Sequence, residues 1–70
     1  MEIKPFDVVA LLHDHPSKGL LRGQVGTVVE TLAPSAFEVE FCDNDGRTYA
    51  SLALKGEELL ILHHELVHAA

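Results

Sequence analysis

The stretch Leu21-Arg22-Gly23-Gln24-Val25-Gly26-Thr27-Val28-Val29-Glu30-Thr31-Leu32 sets the tightest limits on what this chain can become. It runs from a glycine-bearing turn straight into β-branched residues, which suit a pleated surface better than a helix. Gly26 stands inside that strand, where a glycine marks a bulge, a sharp bend or the close approach of another backbone. Strict alternation sets Val25 and Val29 on one face and Gly26 and Val28 on the other. Small barrels need bends of this kind to close their sheet.

The apolar segments on either side are built to wrap around that strand. Phe6 to Leu12 reads as a first strand, punctuated by Pro5 and apolar enough for burial on more than one side. His13 to Gly19 breaks the pattern with Pro, Ser and Gly and is a loop; Leu20 and Leu21 then plug one end of the core. Ala33-Pro34-Ser35 is a turn. Phe37-Glu38-Val39-Glu40-Phe41 alternates apolar and acidic residues without exception, so Phe37, Val39 and Phe41 face the core while the glutamates face water.

Asp43-Asn44-Asp45-Gly46 has hairpin-turn composition, and Arg47 to Leu54 returns as a strand with Ala50, Leu52 and Leu54 on one face. A two-residue Asp45-Gly46 loop sets Phe41 opposite Ala50, Val39 opposite Leu52 and Phe37 opposite Leu54. A four-residue loop sets Phe41 opposite Thr48 instead. A slip by one residue would oppose Phe41 to Tyr49 and Val39 to Ser51, mixing the faces. The two-residue loop gives the better apolar matches. After Lys55-Gly56 turns the chain, Glu57 and Glu58 open a single helical turn before a short closing element through Leu62.

Five short strands at this spacing predict an all-β fold, a small five-stranded Greek-key or SH3-like barrel over residues 1–62. Residues 63–70 follow as a short histidine-containing C-terminal tail or helical turn. No window keeps a 3.6-residue period over three turns, which argues against a helical bundle.

Seventy residues lie near the lower size limit for unaided folding, and the 47% hydrophobic content has to supply the core. Cys42 is the single cysteine, so no internal disulfide and no thiolate zinc site forms within one chain. Self-association into a homo-oligomer is one further source of stability. The net charge of −6 disfavours nucleic acid as partner and suits docking on a basic protein surface. Met1 to Phe6 lacks the basic start and apolar stretch of a signal peptide, and the apolar runs are too short to span a bilayer. The expectation is a cytoplasmic protein without a membrane partner.

Three segments carry a family resemblance: Asp7-Val8-Val9-Ala10-Leu11 with Gly19-Leu20 and Arg22 to Glu30; Phe37 to Phe41; and Asp45-Gly46-Arg47-Thr48-Tyr49-Ala50 with Leu59-Leu60. From about Phe6 to Leu62 the chain resembles a family of small bacterial proteins known only as domain of unknown function 4926. That resemblance implies an SH3-like barrel without an established activity, for which a toxin-neutralising role is imaginable. The run Gly23-Gln24-Val25-Gly26-Thr27-Val28-Val29 also looks like the turn and strand of KOW-type barrels, which often bind RNA or ribosomal protein. The sparse Lys and Arg of this chain depart from a nucleic-acid-binding KOW domain.

The candidate sites are few. His64-Glu65-Leu66-Val67-His68 fits H-E-x-x-H, in which a helix presents both histidines on one face and the glutamate activates a metal-bound water. A metalloprotease also needs a third ligand and a substrate cleft, more than this chain length offers. His64 and His68, with His63 nearby, are better placed for adventitious metal binding or as a solvated tail. Leu66 and Val67 would cover an edge of the barrel or of a second copy.

His13 and His15 flank Asp14 in the first loop, as a metal or pH-sensitive group or simply an exposed loop. Cys42 has Arg47 across the hairpin but two aspartates nearby, which favour an ordinary thiol. Ser17, Ser35 and Ser51 lack nucleophile-elbow context. Glu38, Glu40, Arg47 and Tyr49 form the interaction candidate, an exposed patch on the central hairpin with Glu38 and Glu40 taken as edge residues. The sequence thus predicts a non-enzymatic protein-interaction module, an antitoxin-like or adaptor partner of a basic protein, with no cofactor. The alternatives are a metal binder using the C-terminal histidines and a KOW-like RNA binder.

Overall fold

The computed structural model describes residues 2–63. Its strands are β1 (Val8–Leu11), β2 (Val25–Ala33), β3 (Ala36–Cys42), β4 (Thr48–Lys55) and β5 (Leu59–Ile61), with 3₁₀ turns at Pro16–Lys18 and Gly56–Glu58. All five strands join one antiparallel sheet in the order β4-β3-β2-β1-β5. β4 and β5 therefore lie at opposite margins, yet only Gly56–Glu58 separates them in sequence. In a flat sheet, strand spacings of about 4.8 Å would hold the two margins about 19 Å apart. The chain from Lys55 to Leu59 reaches at most about 14 Å. The sheet has to curl, and the result is the all-β, five-stranded SH3-like barrel expected from the sequence.

β2 carries the curl because two partners share it. Its first residues pair with β1 (Val9 opposite Gly26, Ala10 opposite Val25), and from Thr27 onward it pairs with β3. The β2–β3 register shifts between Val28 and Glu30 and again between Thr31 and Ala33, which bends and twists the strand. Gly26 permits close contact at the crossover. A Cβ built there would lie 2.8 Å from Val39 Cγ1, 2.9 Å from the Glu40 carbonyl oxygen and 2.9 Å from Phe41 Cδ1. Of the three expectations for this glycine, close backbone approach is met at Gly26 itself, while the bulge falls two to three residues later.

The core is Val9, Leu11, Leu20, Val28, Phe37, Val39, Phe41, Leu54 and Leu59, with Ile3, Ala50, Leu52 and Ile61 packed against it. The alternation in Phe37 to Phe41 holds as expected: the three apolar residues are buried and the two glutamates only partly covered. Leu20 is fully buried, whereas Leu21 is 59% exposed, so one leucine rather than two plugs the core. Val25, at the open start of β2, is exposed, and Val29 falls in the register shift, so simple alternation ends there.

The β3–β4 hairpin keeps the register favoured from the sequence, with Phe41 opposite Ala50, Val39 opposite Leu52 and Phe37 opposite Leu54. The loop that delivers it is different. Asp43 N donates to the Arg47 carbonyl and Gly46 N to the Asp43 carbonyl, leaving a three-residue loop with Gly46 at φ +81°. Asp43 Oδ1 accepts from the backbone N–H of Asp45 and Arg47, which fixes this turn in place of the two-residue one. Alone, that odd loop would produce the one-residue slip. A bulge at Tyr49, between the pairs Cys42–Thr48 and Phe41–Ala50, absorbs the extra residue and returns the apolar faces to each other.

The closing 3₁₀ turn at Gly56–Glu58 and the short β5 match expectation; Glu58 Oε2 accepts from Lys55 N and caps the turn. Because Gly26 has ordinary negative-side backbone geometry, its replacement acts through sterics alone. Gly26→Ala should destabilise the fold by about 2–3 kcal/mol through overpacking against β3, read as a lowered midpoint in chemical denaturation. An unchanged midpoint would mean that β2 and β3 separate there without penalty.

Candidate interaction site on the outer sheet face

Pairing registers place the outward side chains of β2, β3 and β4 in cross-strand rows. Glu40 lies between Thr27 and Ser51, and Glu38 between Glu30 and Ala53. Glu30 and Glu38 are thus like charges directly opposite each other, an arrangement that destabilises a sheet. Among the described residues Lys4 and Asp7 form an ion pair (3.7 Å) and His15 Nε2 lies 3.2 Å from Glu58 Oε1, a pair only when the imidazole is protonated; neither contact reaches Glu30, Glu38 or Glu40. The carboxylates find hydroxyls instead. Ser51 Oγ donates to Glu38 Oε2 at 2.5 Å, and Thr48 Oγ1 to Glu40 Oε1 at 3.5 Å. Both hydroxyls belong to β4, so both carboxylates lean toward that strand.

Glu38 and Glu40 are not edge residues as the sequence suggested. β3 has neighbours on both sides, because β2 is long enough to serve β1 and β3 together. Tyr49 and Arg47 stand at the hairpin end, beyond the glutamate rows. Tyr49 is 48% exposed, and its hydroxyl accepts from Gln24 Nε2 at 2.9 Å. Gln24 Oε1 in turn accepts from Leu21 N, so this side chain ties the β1–β2 turn to the Tyr49 bulge. Arg47 is held through its backbone N–H on Asp43. Cys42 is exposed, with Sγ 3.6 Å from Thr48 Oγ1.

The first loop does not gather its two histidines and aspartate into one ligand set. Asp14 Oδ1 accepts from Arg22 N at 2.7 Å, while His15 Nε2, shielded from solvent, faces Glu58 Oε1 at 3.2 Å without hydrogen-bond alignment. His13 instead lines a shallow depression with Lys55, Glu57 and Glu58. Among the described residues no group of three His, Cys, Asp or Glu side chains is arranged to hold a metal ion. The candidate ligands His64 and His68, and Leu66 and Val67, lie outside the described residues.

Phe6 was expected to open β1 and does not. Asp7 N donates to the Lys4 carbonyl across a Lys4-Pro5-Phe6-Asp7 turn, Phe6 takes φ +74°, and its ring is 79% exposed. Proline at the second turn position with positive φ at the third defines a type II turn, which favours glycine where this chain has phenylalanine. A large exposed aromatic in that conformation costs about 1–2 kcal/mol. The signal was present in Pro5 followed two residues later by Asp7, a spacing easily read as strand punctuation.

The model of the family described as Domain of unknown function (DUF4926) matches residues 6–61, and the chain belongs to that family. No curated protein and no solved structure matches the chain. Among the described residues no helix is long and apolar enough to cross a membrane.

Two stability outcomes follow from this geometry. Phe6→Gly should raise stability by about 1 kcal/mol by relieving the turn, and a loss in thermal unfolding would show that the ring holds the fold together. Glu30→Gln should stabilise by about 0.5 kcal/mol, removing the repulsion against Glu38. That gain should shrink as salt screens the native pair, which denaturation at low and high ionic strength measures.

Proposed function

We propose that this protein is a non-enzymatic interaction module whose acidic outer sheet face docks on a basic protein, as an adaptor or an antitoxin-like partner. The observation that carries this reading is the pairing of Glu30 with Glu38 beside Glu40, with no cation paired to them among the described residues. Like charges set opposite each other weaken the sheet, whereas a cationic partner turns the same arrangement into attraction. The net charge of −6 adds long-range steering toward a basic surface. A cytoplasmic setting, as expected from the sequence, would keep the exposed Cys42 thiol reduced.

The test is a native pull-down with mass spectrometry, comparing the protein with its Glu30→Gln/Glu38→Gln/Glu40→Gln variant. A basic protein should co-elute with the native chain, and dissociate as salt rises. The folded triple variant should lose it while unfolding at a higher temperature than the parent. Retention of the same partner by the variant would place binding elsewhere, and RNA in place of protein would overturn the charge argument.

A further inference from the structure

The two margins of the sheet are treated differently. β5 is three residues long, too short to recruit another strand, which is one way that proteins protect an edge. β4 is eight residues long and has β3 as its only sheet neighbour among the described residues. From Thr48 to Leu54 it carries no charge and no proline, so of the usual edge guards it has only Lys55 at its end and a bulge at its beginning. Its one irregularity, the Tyr49 bulge, sits at its beginning and leaves Ala50 to Leu54 in regular register.

The side chains along this margin are small where it matters. Ser51 and Ala53 are outward and exposed, and behind them stand Glu40 and Glu38. On the other face Ala50 and Leu52 are only partly buried at the rim of the core. Through the Ser51 and Thr48 hydroxyls the glutamates already lean over β4 toward the open margin. A strand laid beside β4 would have its outward residues about 10 Å from β3, two strand spacings away. The extended side chains of lysine or arginine and of glutamate together cover that gap, with only a serine and an alanine between them.

We propose that the β4 margin is a strand-addition site for an extended segment of a basic partner, in which lysine or arginine alternates with apolar residues. Backbone hydrogen bonds to β4 supply the affinity, the cations meet Glu38 and Glu40, and the apolar residues extend the core face past Ala50 and Leu52. Charge selects this occupant over a second copy of the chain. Pairing β4 with β4 would bring two acidic faces side by side on subunits of net charge −6 each. The inference rests on the basic-partner reading and adds the manner of recognition.

The test uses capped peptides matching β4 in length. One alternates lysine and valine, one has the same composition in two blocks, and one is the alternating peptide N-methylated at every second amide, in each of the two phases. The alternating peptide should bind about tenfold or more tightly than the block peptide and than the analogue whose methyl groups face β4. Glu38→Gln/Glu40→Gln should weaken it about tenfold, and hydrogen exchange should slow at the outward amides of β4. Equal binding by block and N-methylated peptides would overturn strand addition and leave charge docking intact. So would failure of all the peptides while the pull-down still retains a basic protein. Loss of both peptide and protein binding would overturn the basic-partner reading as well. A concentration-dependent dimer that protects the same amides without peptide would assign the margin to a second copy and refute the proposal.

Discussion

Everything in this barrel depends on how closely β2 approaches β3 at Gly26. The missing side chain lets the Glu40 carbonyl and the Phe41 ring occupy space that any other residue would fill. Because β2 sits that close, one strand can serve β1 with its beginning and β3 with the rest. Sharing a strand in this way turns a flat five-stranded arrangement into a curled one. The curl is in turn what allows a single 3₁₀ turn to join the two margins. In a short chain without an internal disulfide, this close approach and the register shifts that follow it in β2 do the work of closing the core.

What the sequence revealed and what it concealed divide along the range of the forces involved. Alternation in Phe37 to Phe41 reports burial directly, because side chains of a strand point to opposite faces, and the core followed from it. Alternation narrowed the register to the pairings that keep the apolar faces together, and apolar matching favoured the observed one, with Phe41, Val39 and Phe37 against Ala50, Leu52 and Leu54. The loop was not legible, since the same residues allow several turns and the Asp43 carboxylate decides among them. The Tyr49 bulge then corrects the loop's odd count, so a correct register arose from an incorrect turn. Phe6 misled for a similar reason, being apolar like a strand residue but held in a turn by Pro5 and Asp7.

For the candidate site the sequence supplied the residue types and not their neighbours. Glu38 and Glu40 were visibly outward, but the opposition of Glu38 to Glu30 depends on the shift in β2 after Val28. Composition gave the sign of the surface; topology gave its arrangement. Arg47 and Tyr49 are near the glutamates in sequence and belong to the hairpin end instead.

The union of the first and last strands, β1 and β5, has a consequence for internal motion. Val9 faces Ile61 and Leu11 faces Leu59, so this seam closes a loop covering most of the described chain, while β2, β3 and β4 follow one another by short turns. Closing so long a loop costs the most entropy and is repaid by only three paired residues. The meander of β2 to β4 is by contrast locally connected. Partial opening therefore falls first on β5, freeing Leu59 from the core and Glu58 from His15 while the hairpins keep their hydrogen bonds. By this argument β5 works as a latch on the three-stranded body of β2, β3 and β4.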